Sequence, residues 1–143
     1  VGYLVFVQRE LPIVDLVGLT ATAKKWFTVP IEVLADQNPA DVVVRAGTSE
    51  FRLQARRTTE ADLTVAKSAE ERGRAAGMAD LAGRCPTLWE ITSRDGATET
   101  DTLRLCAVIA STGLGPVLPP DALTLFGVRG AMERVERLES GLR

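Results

Sequence analysis

The first run of apolar positions, Tyr3-Leu4-Val5-Phe6-Val7, is short, β-branched and aromatic, and it predicts a buried strand. Pro12 suits the first turn of a helix, where a missing N–H costs nothing. Ile13, Leu16, Val17, Thr20, Lys24 and Phe27 then follow at helical spacing until Val29-Pro30 ends the pattern. Ile31 to Leu34 reads as a second strand, with Asp36-Gln37-Asn38-Pro39 as its turn. The clearest alternation comes next. Asp41-Val42-Val43-Val44-Arg45, a turn through Gly47-Thr48-Ser49, and Phe51-Arg52-Leu53-Gln54-Ala55-Arg56 predict a β-hairpin. Its second strand places Phe51, Leu53 and Ala55 on one face and Arg52, Gln54 and Arg56 on the other.

From Thr59 the chain turns to Glu, Ala, Lys and Arg, which predicts one long helix from about Glu60 to about Ala82, capped at Thr58 or Thr59 and stopped by Gly83 and Pro86. Ala69, Gly73 and Gly77 recur at every fourth position, and such a strip admits a second backbone at close range. Packing on the chain's own sheet is the plainer reading of it, and a homodimer through the Ala69, Gly73, Gly77 face is the sharper one. The pattern then begins again. Thr87 to Thr92 reads as a strand with Trp89 and Ile91 opposite Leu88 and Glu90, and Asp95-Gly96 as a turn. A helix capped at Thr98 or Thr100 carries Leu103, Leu105, Cys106, Val108 and Ile109 to a stop at Gly113. Gly115 to Leu118 and Leu123 to Phe126 are joined by the hairpin loop Pro119-Pro120-Asp121, and a last helix covers about Gly130 to Leu138 with Arg and Glu alternating on its exposed side.

Reduced to elements, residues 1–83 give β-α-β-β-β-α and residues 86–140 give β-α-β-β-α, two pseudo-repeat units within a single domain spanning 1–143. The expected class is α+β: a mainly antiparallel sheet with helices on one face, ferredoxin-like or tandem ferredoxin-like, with a groove between the units. A chain of 143 residues buries roughly two-thirds of its unfolded surface, so no staple is required.

Composition changes this picture only in places. A net charge of −2 argues against a general nucleic-acid binder. No apolar run reaches the length of a membrane span, and the opening strand lacks the basic flank of a signal peptide, so the expected setting is cytoplasmic without membrane contact. Lys24, Lys25 and Lys67 are the only lysines. That bias towards arginine is what a GC-rich bacterial genome writes, or what planar recognition of anions requires. Cys85 and Cys106 lack metal-knuckle or redox spacing and read as small buried side chains, and no metal or cofactor is expected.

The chain has no histidine, which removes Ser-His-Asp and Cys-His nucleophiles, histidine-based zinc sites and the facial triad of non-haem iron. Carboxylate acid–base chemistry, an arginine-clamped anion, an activated cysteine, or Tyr3 as a proton donor remain. Glu90 is the carboxylate to examine, because a covered strand face would desolvate it. Arg45, Arg52 and Arg56, with Arg57 at the end, form a potential anion cluster on the hairpin. Gly127-Val128-Arg129-Gly130 lies between a strand and a helix N-terminus, where free N–H groups favour an anion; Gly113-Leu114-Gly115-Pro116 follows a helix and reads as a cap. Trp26 and Trp89 either pack in the core or line a pocket or partner surface. The leading expectation is a non-enzymatic domain that binds a partner protein or a small anionic ligand. The alternatives are a histidine-free enzyme with Glu90 as general acid or base and arginines as its anion clamp, and nucleic-acid binding through the hairpin arginines.

Overall fold

The computed structural model describes residues 2–141. The alternating segments form the hairpin β3 (Asp41–Ala46) and β4 (Ser49–Arg57), turned by Gly47 at φ +63°. Val42 pairs with Leu53 and Val44 with Phe51, so the apolar side chains share one face as their spacing requires. Around this hairpin lie β1 (Tyr3–Val7), β2 (Ile31–Asn38), β5 (Thr87–Ser93) and β6 (Val117–Leu118). The six strands form one sheet in the order β2-β3-β4-β5-β1-β6, and every neighbouring pair is antiparallel.

The mixed α+β class and the antiparallel sheet are therefore as expected, and the placement of the helices is not. Val5, Val7, Trp89 and Ile91 point to a face covered by α1 (Leu16–Thr22), α4 (Glu99–Gly113) and α5 (Val128–Glu139). Phe6, Leu88 and Leu118 point to the opposite face, where they meet Ala66 and Ala69 of α2 (Glu60–Gly73) and Ala82 of α3 (Met78–Gly83). Helices thus pack on both faces, which corrects the one-face expectation. The physical reason is visible in β1 and in Leu88-Trp89: consecutive apolar residues, unlike alternating ones, need cover on both sides.

Strand order also departs from two side-by-side units. A tandem of ferredoxin-like units would keep each half's strands together, yet β5 and β6 flank β1 from the first half. The halves share one interleaved sheet rather than facing each other across a groove. Leu123 to Phe126 does not extend into a strand; Phe126 makes a single antiparallel bridge with Val117.

The predicted long helix is two helices. Arg74 adopts φ +53° and Gly77 φ +88°, which breaks the rod after Gly73 and re-aims α3. Ala69 is buried on the chain's own sheet, a Cβ at Gly73 would overlap Thr124 of the β6–α5 connection, and Gly77 lies in the break. The Ala69, Gly73, Gly77 strip is therefore not one helix face, and its first two positions are occupied by the protein itself. The first helix likewise starts later than predicted, at Leu16, because the Asp15 carboxylate caps it at Gly18 N, 3.0 Å. Its end widens into a π-helical turn, Ala23–Phe27, closed by Thr28 at φ +50°. None of the helices among the described residues is long and apolar enough to cross a membrane.

Candidate functional site

The N-terminus of α4 is fixed by short-range chemistry. Thr98 caps it, accepting from Asp101 N at 3.1 Å. Asp101 in turn accepts from Ser49 Oγ at 2.6 Å and from Thr48 N and Oγ1, both at 3.2 Å. Partial burial pushes the Asp101 carboxyl upward, but the hydrogen bonds from Ser49 and Thr48 outweigh it and hold it below the ordinary range. The β3–β4 turn and the start of α4 are thereby clamped together, and Glu99, the residue after the Thr98 cap, is held at the rim of a cleft.

That cleft has a volume of about 330 Å3 and lies between α4, α5, the start of β1 and the β6–α5 connection. Its apolar wall includes Leu103 of α4, Phe126, and Leu123 and Leu138. Tyr3 donates its phenol to Glu99 Oε1. Burial first, and then the Glu99 carboxylate, raise the Tyr3 pKa well above its ordinary value, so the phenol stays protonated and orients Glu99. Facing them from α5 are Arg134 and Arg137, and Asp121 lies on the connecting loop.

Arg134 is positioned by packing. Its guanidinium lies 4.0 Å from the centre of the Phe126 ring and donates through Nη1 to Gly130 O at 3.0 Å. The contact depends on Gly130, since a Cβ there would fall 2.6 Å from Phe126 Cβ. Among the described residues, neither Arg134 nor Arg137 has a carboxylate within 4.0 Å, although Glu99 and Asp121 line the same cleft. Two charges of each sign are held apart around one apolar-walled concavity.

The residues singled out from sequence fall elsewhere. Glu90 stands on the face opposite Trp89, as expected, but it is 40% exposed, lines none of the five clefts described, and takes an ion pair from Arg56 Nε at 3.2 Å. Arg45 reaches Glu32 at 2.8 Å and Glu50 at 3.3 Å. Arg52 grips Asp41 with two bonds, at 2.8 and 2.5 Å, and Arg56 grips Asp62 at 2.7 and 2.9 Å. Each of these three guanidinium groups is thus already met by carboxylates of its own chain. Arg57 lies at the exposed end of β4, on the opposite pleat.

Gly127 is the N-cap of α5 and receives no side-chain cap, and Arg129 is exposed in the first turn. Gly113–Pro116 is the expected cap and turn, with Leu114 at φ +57°. Trp26 and Trp89 separate: Trp89 is fully buried in the core, whereas Trp26 is 69% exposed with Lys25 Nζ 5.0 Å over its ring. A larger groove of about 510 Å3 beside Thr20, Thr28 and Ile31 offers Lys24 as its one charged group. Cys85 and Cys106 are both buried, free thiols. Among the described residues, no three of Cys, Asp and Glu gather as a metal cluster.

The cleft residues Glu99, Asp121, Phe126, Arg134 and Arg137 were not singled out from sequence. Arg134 and Arg137 sit in the alternating charges of the last helix, and only their spacing of three, which puts both on one side of a helix, marks them as a pair. Compared with protein-family models, with curated proteins and with solved structures, the chain matches none.

Proposed function

We propose that this chain is a non-enzymatic binding domain that holds a small molecule with an anionic group in the cleft between α4, α5 and β1. The observation that carries this reading is Arg134, set over Phe126 at 4.0 Å without a carboxylate partner among the described residues, at the wall of a 330 Å3 cleft. Small-molecule sites begin at roughly this volume, and they combine apolar walls with a few placed polar groups. A guanidinium already stacked on a ring loses little freedom when it meets a carboxylate or phosphate, so more of the contact appears as affinity.

The alternative of Glu90 as general acid or base draws no support from its surroundings, because its carboxylate is partly open to water, is ion-paired to Arg56 and lines none of the five clefts described. The test is an isotope-edited NMR titration with small organic acids. Shifts are expected at residues 99–103 and 126–138, and Arg134→Gln should abolish them with the fold intact. Shifts confined to the hairpin face, or unchanged in that variant, would remove the cleft from consideration.

A further inference from the structure

We infer that the cleft selects a dipolar molecule, one whose anionic end meets Arg134 and Arg137 and whose ammonium or other cationic donor meets Glu99, across an apolar body. The inference rests on the ligand-binding reading above and deepens it. Opposite charges on a protein surface normally pair when side chains can reach, and this chain shows the habit repeatedly: Arg9 with Asp15, Arg45 with Glu32, Arg52 with Asp41, Arg104 with Glu139. In the cleft the same residue types line one surface of about 330 Å3, and among the described residues none of the four forms an ion pair.

Each charge is held back by a local contact. Arg134 is retained by the Phe126 ring and the Gly130 carbonyl. Glu99 is retained by the Tyr3 phenol on Oε1, which leaves Oε2 free as an acceptor. Asp121 is turned towards its own loop, where Oδ1 accepts from Leu123 N at 3.0 Å. A simple anion would satisfy only the arginine end and would bring its charge towards Glu99. A dipolar molecule satisfies both ends, and Leu103, Leu123 and Phe126 between them receive its apolar part.

The experiment uses matched probes that share one body: 6-aminohexanoate, hexanoate and hexylamine, and in parallel 8-aminooctanoate, octanoate and octylamine. Affinities are measured by NMR titration on the whole chain. At least one of the two zwitterions is expected to bind about tenfold or more tightly than its anion and its amine. Glu99→Gln, which can still accept from Tyr3, should reduce the zwitterion to the level of the anion and leave the anion unweakened. Arg134→Gln should weaken zwitterion and anion alike. An anion that binds as tightly as its zwitterion would overturn the dipolar inference and leave the ligand-binding reading standing. Failure of all six probes to shift the cleft resonances at about 10 mM would overturn both.

Discussion

Asp62 concentrates three jobs in one carboxylate, and removing its charge gives the sharpest test of how the sheet is joined to α2. Its oxygens accept from both terminal nitrogens of Arg56, at 2.7 and 2.9 Å, and from Thr59 N at 2.7 Å. Thr59 Oγ1 also accepts from Asp62 N at 3.2 Å, which completes a reciprocal cap at the start of α2. The Arg56 guanidinium first, opposed by partial burial and aided by Thr59, lowers the Asp62 carboxyl from 3.8 to about 2. At face value a drop of that size is worth roughly 2.5 kcal/mol at neutral pH. Arg56 is 36% exposed, so water screens its half of the pair and about 1.5 kcal/mol is the better figure.

Asp62→Asn keeps an acceptor for Thr59 and should therefore cost about 1.5 kcal/mol. Asp62→Ala also loses the cap, for a total of about 2.5 kcal/mol. Because the folded-state pKa is depressed, the contribution is complete above the unfolded-state value of 3.8 and disappears as pH falls towards about 2. Urea unfolding followed by circular dichroism should thus show a gap between wild type and Asp62→Asn that is constant above about pH 5 and closes below it. A gap under about 0.5 kcal/mol at neutral pH, or one that stays constant to about pH 3, would refute the assignment. Glu90→Gln, which leaves Arg56 its Asp62 partner, should cost no more than about 0.5 kcal/mol in the same assay.

Gly73→Leu should lower stability by about 1–3 kcal/mol, since its side chain must displace Thr124. Light scattering checks the accompanying claim, because a change of mass in that variant would restore an assembly role for this position. Trp89→Phe should cost less than about 1.5 kcal/mol, because the ring is fully buried but its Nε1 has no acceptor, and losing an unpaired donor offsets lost packing; a cost above about 3 kcal/mol, read by circular dichroism, would contradict this. Cys85 is pushed up to about 11 by burial, and burial raises Cys106 further, so a thiol reagent at mildly alkaline pH should label neither until the chain unfolds. Rapid labelling of the native protein is the contrary result. The hairpin face should not retain an oligonucleotide even at low salt, because Arg45, Arg52 and Arg56 are met there by Glu32, Asp41, Glu50, Asp62 and Glu90. Salt-dependent binding lost in Arg52→Gln would reverse that expectation.

What could be read in the sequence was local. The β3–β4 hairpin, its two faces, the Thr59 cap and the stop of α4 at Gly113 all follow from neighbours a few residues apart, and all appear in the structure. The break after Gly73 was not legible as such, because Glu, Ala, Arg and Met continue to favour a helix across it. What ends α2 is a left-handed Arg74, directly after a Gly73 whose missing side chain leaves room for Thr124 of a distant loop. Helices on both faces could have been anticipated from Leu88-Trp89 and from β1, since uninterrupted apolar residues are inconsistent with a sheet having one wet side. Strand order could not, because nothing in β1 itself distinguishes pairing with β5 and β6 from pairing with β2.

The candidate site was harder still, for a reason that concerns charge rather than fold. Three arginines on one face of the β3–β4 hairpin look like an anion site when they are counted locally, and five carboxylates from β2, β3, β4, α2 and β5 cancel them when the sheet is assembled. Arg134 and Arg137 look like solvated helix charges by the same local count. They become a candidate site only because the packing of Phe126 under Arg134, and of Tyr3 against Glu99, keeps the nearby acids from reaching them. An arginine's availability is therefore a property of what the fold prevents it from touching. That is why the residues that carry the proposed binding role here are ones whose sequence context is the least distinctive in the chain.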